Sequence, residues 1–194
     1  MDGPSQHEAF LHVRVLVGVV VGLTLTRLLL SLARLVQHPG HARLSAIWLG
    51  WALFLLIATL HLWWFEFGLA TVTWRFEIYA FTVLYAALYF FTCAVLTPDA
   101  IDDFARLDAW FDARRAWFYC LLAALLLCDL IDTRLKGEAH FAWLGPLYPL
   151  RQIGLAAAAL AAARARDRRV DACVLAAALL SELALIAGRY DLIG

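Results

Sequence analysis

The chain has 194 residues, of which 64% are apolar or aromatic and only 16% are charged. Soluble domains contain about 45–50% apolar and about 25% charged residues, and a soluble domain of this size has too little interior to bury the excess. The composition therefore excludes a soluble globular enzyme, a disordered chain and a collagen-like chain. The formal net charge is zero, so we expect no nucleic-acid partner.

Six apolar stretches are each close to the length of about 20 residues that a helix needs to cross a lipid bilayer. In chain order they cover residues 10–36, 44–67, 74–96, 116–133, 143–163 and 170–190. No second domain or low-complexity linker interrupts them. Residues 1–194 are therefore predicted to form a single all-α domain, a polytopic membrane protein with six transmembrane helices whose surroundings are the lipid bilayer.

Residues 99–115, between the third and fourth predicted spans, are amphipathic. Ile101, Phe104, Leu107 and Phe111 recur at helical spacing, whereas five aspartates occupy the other faces. The acidic residues crowd the start and two arginines close the end, as the helix dipole favours. This pattern predicts an interfacial helix that lies in the plane of the membrane surface. The alternative is a cytoplasmic helix that packs on a partner protein.

The distribution of Arg and Lys predicts the orientation of the chain. The connections between helices one and two, three and four, and five and six carry nine basic residues, against five on the other side. Much of this bias comes from the segment RARDRR at residues 164–169. These three connections are predicted to be cytoplasmic, and both termini non-cytoplasmic.

Gly18 and Gly22 form a GxxxG motif in helix one. Two helix backbones approach closely where side chains are absent, and dispersion forces then hold them together within lipid. The motif fits packing inside one subunit, and it also fits an interface in a homo-oligomer.

Ionisable and polar side chains inside the predicted spans are the most informative feature, because a charge in hydrocarbon needs a partner or a water-filled cavity. They are Arg27, His61, Asp129, Asp132, Arg151 and Glu182. With a helical rise of about 1.5 Å per residue, all but Arg27 fall in the outer half of the membrane, and Arg27 falls on the inner side.

We expect a buried polar network centred on Arg151, with Glu182 and Asp129 as its counter-ions. A guanidinium can serve two carboxylates at once, which suits this arrangement. Asp132 lies on the same face of its helix as Asp129 and is spaced to pair with Lys136 at i+4.

The network has two functional interpretations and one structural interpretation. It can form a proton- or ion-linked pathway, or a polar ligand cavity open to the outside, or a salt bridge that only fixes the helix arrangement. No catalytic motif, haem ligand pair or metal-binding pattern is present, so we expect no enzyme, no cofactor and no metal site. The leading hypothesis is a homo-oligomeric channel or transporter. The alternative is a non-transporting scaffold, sensor or accessory subunit that engages a cytoplasmic partner through residues 99–115.

Residues 18–37 and 48–69, with Arg27, His61 and the Trp63-Trp64 pair, resemble a group of small bacterial multi-pass membrane proteins to which no activity is assigned. The resemblance covers about the first 96 residues of the chain. The six-helix plan is also similar to the bacterial relatives of the lysosomal potassium channel. That family carries Arg and Phe-Ser-Asp in its first helix, whereas Arg14 here is followed by Val-Leu-Val-Gly, so its gating and selectivity do not transfer. The expected location is the bacterial inner membrane.

Overall fold

The computed structural model describes residues 6–38 and 44–190. Its α-helices are α1 Gln6–Gln37, α2 Ala46–Phe65, α3 Phe76–Leu96, α4 Leu107–Leu135, α5 Glu138–Leu144, α6 Leu147–Arg164 and α7 Arg168–Tyr190. Short 3-10 segments at Glu66–Thr71 and Ile101–Arg106 follow α2 and precede α4. These ranges contain no β-strand, so the all-α prediction is confirmed for them.

Within residues 6–38 and 44–190, five helical stretches are long and apolar enough to cross a membrane. They are α1, α3, most of α7, α2 with its following 3-10 segment, and α4 with the 3-10 segment before it. The remaining long helix, α6, has 18 residues and includes Arg151 and Gln152. Leucine and valine side chains cover much of the outer surface; Val15, Leu84 and Leu180 are each 68–70% exposed. These features fit a multi-pass membrane protein.

The structure differs from the prediction around residues 99–115. No boundary separates an interfacial helix from a fourth span, because α4 runs without a break from Leu107 to Leu135. Phe104, Leu107 and Phe111 are at most 2% exposed and pack in the core of the bundle. The apolar stripe of the amphipathic segment continues in phase with the buried face of α4. From Leu107 onward the amphipathic segment and the predicted fourth span are therefore one helix, and Phe104 is buried from the 3-10 segment before it.

The predicted fifth helix, residues 143–163, begins in the wrong place. The structure has the short helix α5 at Glu138–Leu144, and α6 begins only at Leu147. Gly137 and Gly145 delimit α5 with φ angles of 107° and 80°, which side chains other than that of glycine rarely adopt. Pro146 follows and lacks a backbone N–H, so it cannot extend the hydrogen bonds of α5. The same residue is tolerated at the start of a helix, where α6 begins.

The long helices alternate in direction, and α4 lies at the centre of the bundle. It contacts α3, α6 and α2, while α1 packs on α3 and α2, and α7 packs on α2 and α6. One end of the bundle, called the α5 end, contains the last turns of α2 and α4 and the start of α6. At the opposite end, Trp48 Nε1 donates to the backbone oxygen of Leu96 over 2.9 Å. Trp51, Phe118 and Tyr119 pack edge to face near this opposite end, with ring centroids 5.1–5.7 Å apart.

The two glycines of the GxxxG motif have different surroundings. A Cβ atom on Gly18 would lie 2.9 Å from the indole ring of Trp63 in α2, so Gly18 permits close packing of α1 on α2. Gly22 is exposed, and a Cβ there would meet no atom within 4 Å. The motif therefore contributes Gly18 to packing within the chain and leaves Gly22 on the surface.

Replacing Gly18 with leucine should destabilise the bundle, because the new side chain must displace the Trp63 indole. Overpacking of this kind costs about 1–3 kcal/mol. The measurement is the thermal unfolding midpoint of the purified chain in detergent. Gly154→Leu is the matched control, since Gly154 is an exposed helical glycine with open space around it. Equal midpoints for the two variants would contradict the assigned contact.

Candidate functional site

A cavity lies near the α5 end, between α2, α4, α6 and α7. Its volume is about 60 Å³, measured as the space open to the centres of water molecules. A polar space of this size can hold a few water molecules. The polar residues that line it, called the cavity cluster, are His61, Asp129, Asp132, Thr133, Lys136, His140, Tyr148, Arg151, Gln152 and Glu182. The cluster thus contains five of the six polar residues that the sequence singled out.

Glu182 of α7 is bonded to two other helices. Its Oε2 accepts from Arg151 Nη2 of α6 over 2.6 Å, and its Oε1 lies 2.5 Å from Nδ1 of His61 in α2. Glu182 is 5% exposed. One carboxylate therefore joins three helices, and its charge is offset by the guanidinium beside it.

Asp129 of α4 has neutral partners. Tyr85 donates to its Oδ1 over 3.0 Å, and the hydroxyl of Tyr148 and the amide of Gln152 both donate to its Oδ2. Arg151 Nη1 donates to Gln152 Oε1 over 3.3 Å, so Gln152 lies between the guanidinium and Asp129. The predicted direct pairing of Asp129 with Arg151 is therefore replaced by an indirect link.

Asp132 lies one turn beyond Asp129 and carries the third carboxylate of the cavity cluster. Lys136 donates to its Oδ2, as the i+4 spacing predicts. Asp132 Oδ1 is buried and has no hydrogen-bond partner among the described residues. Lys136 Nζ also lies 3.8 Å from Oε1 of Glu66, which follows α2 and is 3% exposed. Glu66 was missed in the sequence because it lies at the predicted end of a span.

Acidic groups outnumber permanent cations in this region. Glu66, Asp129, Asp132 and Glu182 are accompanied by Arg151 and Lys136. His140 in α5 adds no charge near neutral pH, since burial and then the nearby Lys136 lower the pKa of its ring, an effect that the charge of Asp129 only partly opposes. Because the region is largely shielded from bulk water, its surplus of carboxyl groups over permanent cations favours the uptake of a cation or a proton.

Arg27 does not join the cavity cluster. It lies at the opposite end, where its Nε donates to Thr97 Oγ1 over 2.8 Å and its Nη2 donates to Thr97 O over 3.2 Å. It also pairs with Asp99 over 2.9 Å. Arg27 therefore bonds to the end of α3 and to the loop beyond it.

A further buried ion pair, missed in the sequence, connects α4 and α7 at the opposite end. Arg115 Nη2 lies 2.8 Å from Asp171 Oδ1, and Arg115 Nε donates to the backbone oxygen of Ala162 over 3.0 Å. The hydroxyl of Tyr119 donates to the same carboxylate oxygen over 2.7 Å. The sequence signal was present, since Arg115 continues the buried stripe of α4, but both residues were assigned to the ends of their segments.

Apolar side chains separate the two charged regions. Arg115 and Asp129 are 14 positions apart on α4, about 21 Å along the helix axis. Four helices contribute to the apolar layer between these levels, which we define as Leu55, Leu122, Leu155 and Leu175. Each of these side chains is at most 9% exposed. The cavity is therefore bounded by an apolar layer on the side that faces the opposite end of the bundle.

A scan of protein-family models found no match to this chain, and searches of curated proteins and of solved structures found no significant match. The resemblances noted from the sequence therefore stay predictions. The geometry of the cavity cluster is therefore the basis for assigning a function.

Breaking the Arg151–Glu182 pair from one side should cost far more than an exposed pair does. Arg151→Gln leaves a buried carboxylate without its cation, and Glu182→Gln leaves the cation without its carboxylate, so each is expected to cost about 3–5 kcal/mol. The double variant should cost clearly less than the sum of the two. A double-mutant cycle of unfolding free energies in detergent measures this coupling.

The control for this cycle is Arg134 and Glu138, which pair over 3.1 Å with side chains 59% and 82% exposed. Exposed i,i+4 pairs couple by about 0.3–0.5 kcal/mol. Coupling at Arg151 and Glu182 no larger than at this control pair would show that the buried contact does not hold α6 to α7.

Proposed function

We propose that this chain is a subunit of a homo-oligomeric channel or transporter for protons or small cations. The observation that carries the proposal is a cavity that admits water and is lined by more carboxylates than permanent cations. It lies among helices long and apolar enough to cross a membrane. Buried ionisable groups are costly in such helices, and where they occur they commonly mark ion paths and proton relays.

The cavity is suited to accept a positively charged substrate from one side. Asp129 of α4 and Glu182 of α7 both line it, with His61 and Arg151 beside Glu182. Water has room to enter between them. The apolar layer then stops the path, so transport requires a change in helix packing that opens this layer. This conformation therefore corresponds to a closed state of the channel or transporter.

The orientation that we propose places the α5 end on the non-cytoplasmic side of the bacterial inner membrane. The basic residues of the connections at the opposite end support it through the positive-inside rule. Of the residues in that count, Arg43 lies outside the described residues, and so does the side chain of Arg189. In this orientation the cavity accepts its substrate from outside the cell.

Homo-oligomeric assembly is part of the same proposal. The cavity of a single chain ends at the apolar layer, and one bundle of this size has little room for a wider pore. The outer face of α1 around Gly22 has no side chain over its backbone, which allows close approach by a second helix. This face is our candidate subunit contact.

The second candidate is a non-transporting scaffold, sensor or accessory subunit. It is favoured by the extent of internal pairing, since Arg27, Arg115 and Arg151 all bond to partners within the chain. A cytoplasmic partner would meet residues 99–115 on their polar face, where Asp102 is exposed, because the apolar face is buried in the core.

Flux through reconstituted liposomes tests the leading proposal. Glu182→Gln and Asp129→Asn should each reduce proton or cation flux at least about tenfold, because each removes a buried charge that attracts the substrate. Asp102→Asn, an exposed carboxylate at the opposite end, should leave the flux unchanged. Flux equal to the leak of empty liposomes would favour the non-transporting alternative. Flux that survives both cavity substitutions would show that the path does not use the cavity cluster.

The mass of the purified protein in detergent, measured by analytical ultracentrifugation, tests the assembly. The wild-type chain should sediment as a multiple of its 21.7 kDa mass. Gly22→Leu should shift it towards the monomer, since the added side chain prevents close helix approach. Gly154→Leu is the control and should retain the oligomer. A monomeric wild-type chain would remove homo-oligomerisation from the proposal.

A further inference from the structure

We propose that Asp132 is the main ligand of a binding site for a partly hydrated monovalent metal cation of the Na⁺ class, in the cavity beside Asp129. The inference rests on the proposed function and names its substrate class. Its test, however, measures binding and does not depend on transport.

The first step is the open oxygen of Asp132. This residue is 2% exposed and lines the cavity, its Oδ2 accepts from Lys136, and its Oδ1 has no hydrogen-bond partner among the described residues. A buried carboxylate oxygen without a donor is costly. A cation or a water in the cavity would remove that cost.

The second step is the chemistry of the neighbouring atoms. Thr133 lines the cavity, with its hydroxyl 2.8 Å from that of Tyr148, and Asp129 lies one helical turn before Asp132 on the same face. Asp129 accepts three hydrogen bonds from neutral donors, which leaves room for one more interaction among the roughly four that a carboxylate can accept. Carboxylate, hydroxyl and water oxygens are the ligands that hard cations prefer.

The surroundings of Asp132 favour a monovalent ion that keeps some of its water. Among the described residues, no group of three or more His, Cys, Asp or Glu could hold a metal ion, so a cage that strips all water from a divalent ion is not built here. The ammonium of Lys136, bonded to the other oxygen of Asp132, would also repel a divalent ion more strongly. The cavity has room for several waters that can complete the shell of a single charge.

The carboxylates around the cavity are unequally paired with cations. Arg151 is directly paired with Glu182, and Lys136 lies between Asp132 and Glu66. These pairings leave Asp129 without a cationic partner among the described contacts. One added positive charge between Asp129 and Asp132 would offset part of the surplus.

The experiment uses the full-length chain in detergent. Thermal unfolding is measured at constant ionic strength and pH while NaCl replaces choline chloride, because choline is too large for the cavity. Saturating Na⁺ should raise the wild-type midpoint by about 5 °C or more along a single-site curve. Binding of radiolabelled Na⁺ should saturate at about one ion per chain on the same concentration scale. Asp132→Asn should abolish both effects, and Asp102→Asn should retain them.

Each outcome decides the proposal. Equal midpoints in Na⁺ and choline, with no saturable binding, would show that the cavity holds only water. A full Na⁺ effect in Asp132→Asn would place the ion elsewhere. If Asp132→Asn does not fold, the two wild-type measurements still decide whether the ion binds. Asp132→Glu should then weaken Na⁺ binding at least about threefold, because the extra methylene moves the carboxylate oxygens.

Saturable Na⁺ binding without flux would overturn the proposed transport function alone. Proton flux without Na⁺ binding would overturn this inference alone.

Discussion

The burial of charge among apolar helices is the constraint on which the rest of this structure depends. Removing a carboxylate or guanidinium from water costs several kcal/mol, and only partners with good geometry compensate for it. Glu182 finds such partners on α6 and α2, so its hydrogen bonds hold three helices in one arrangement. Arg115 and Asp171 do the same for α4 and α7 at the opposite end. At the α5 end, the interactions that position the helices are therefore also the ones that form the candidate site.

The depth of a residue in the bundle could be predicted from the sequence, because it follows from helix boundaries and a constant rise per residue. Arg151, Glu182 and His61 were expected in the same half of the membrane, and the structure places Glu182 in contact with the other two. The rotation of each helix about its axis could not be predicted in the same way. It depends on packing against neighbours, and it decides that Gln152 and two tyrosines, rather than Arg151, bond to Asp129.

The segments that differ from prediction are those where two local signals compete. Residues 99–115 carry a charge pattern that suits a separate helix, yet their apolar stripe runs in phase with the buried face of α4. Burial of that stripe in the core favours one long helix. Between α4 and α6, hydropathy gave no sign of α5, whose limits depend on the positive φ angles of Gly137 and Gly145. A GxxxG spacing likewise does not tell which glycine contacts a neighbour, and here Gly18 alone contacts Trp63.

The two charged regions differ in balance, and that difference separates a structural tie from a candidate binding site. At the opposite end, one guanidinium meets one carboxylate, and a tyrosine hydroxyl and a backbone oxygen complete the contacts. At the α5 end, three carboxylates line a space that admits water and a fourth, Glu66, lies beside Lys136, while Arg151 and Lys136 are the two permanent cations. A balanced pair needs nothing further to hold its helices together. A cluster with surplus negative charge in a low-dielectric setting gains stability from any small cation that reaches it, which makes occupancy of the cavity and packing of α4 against α6 and α7 interdependent.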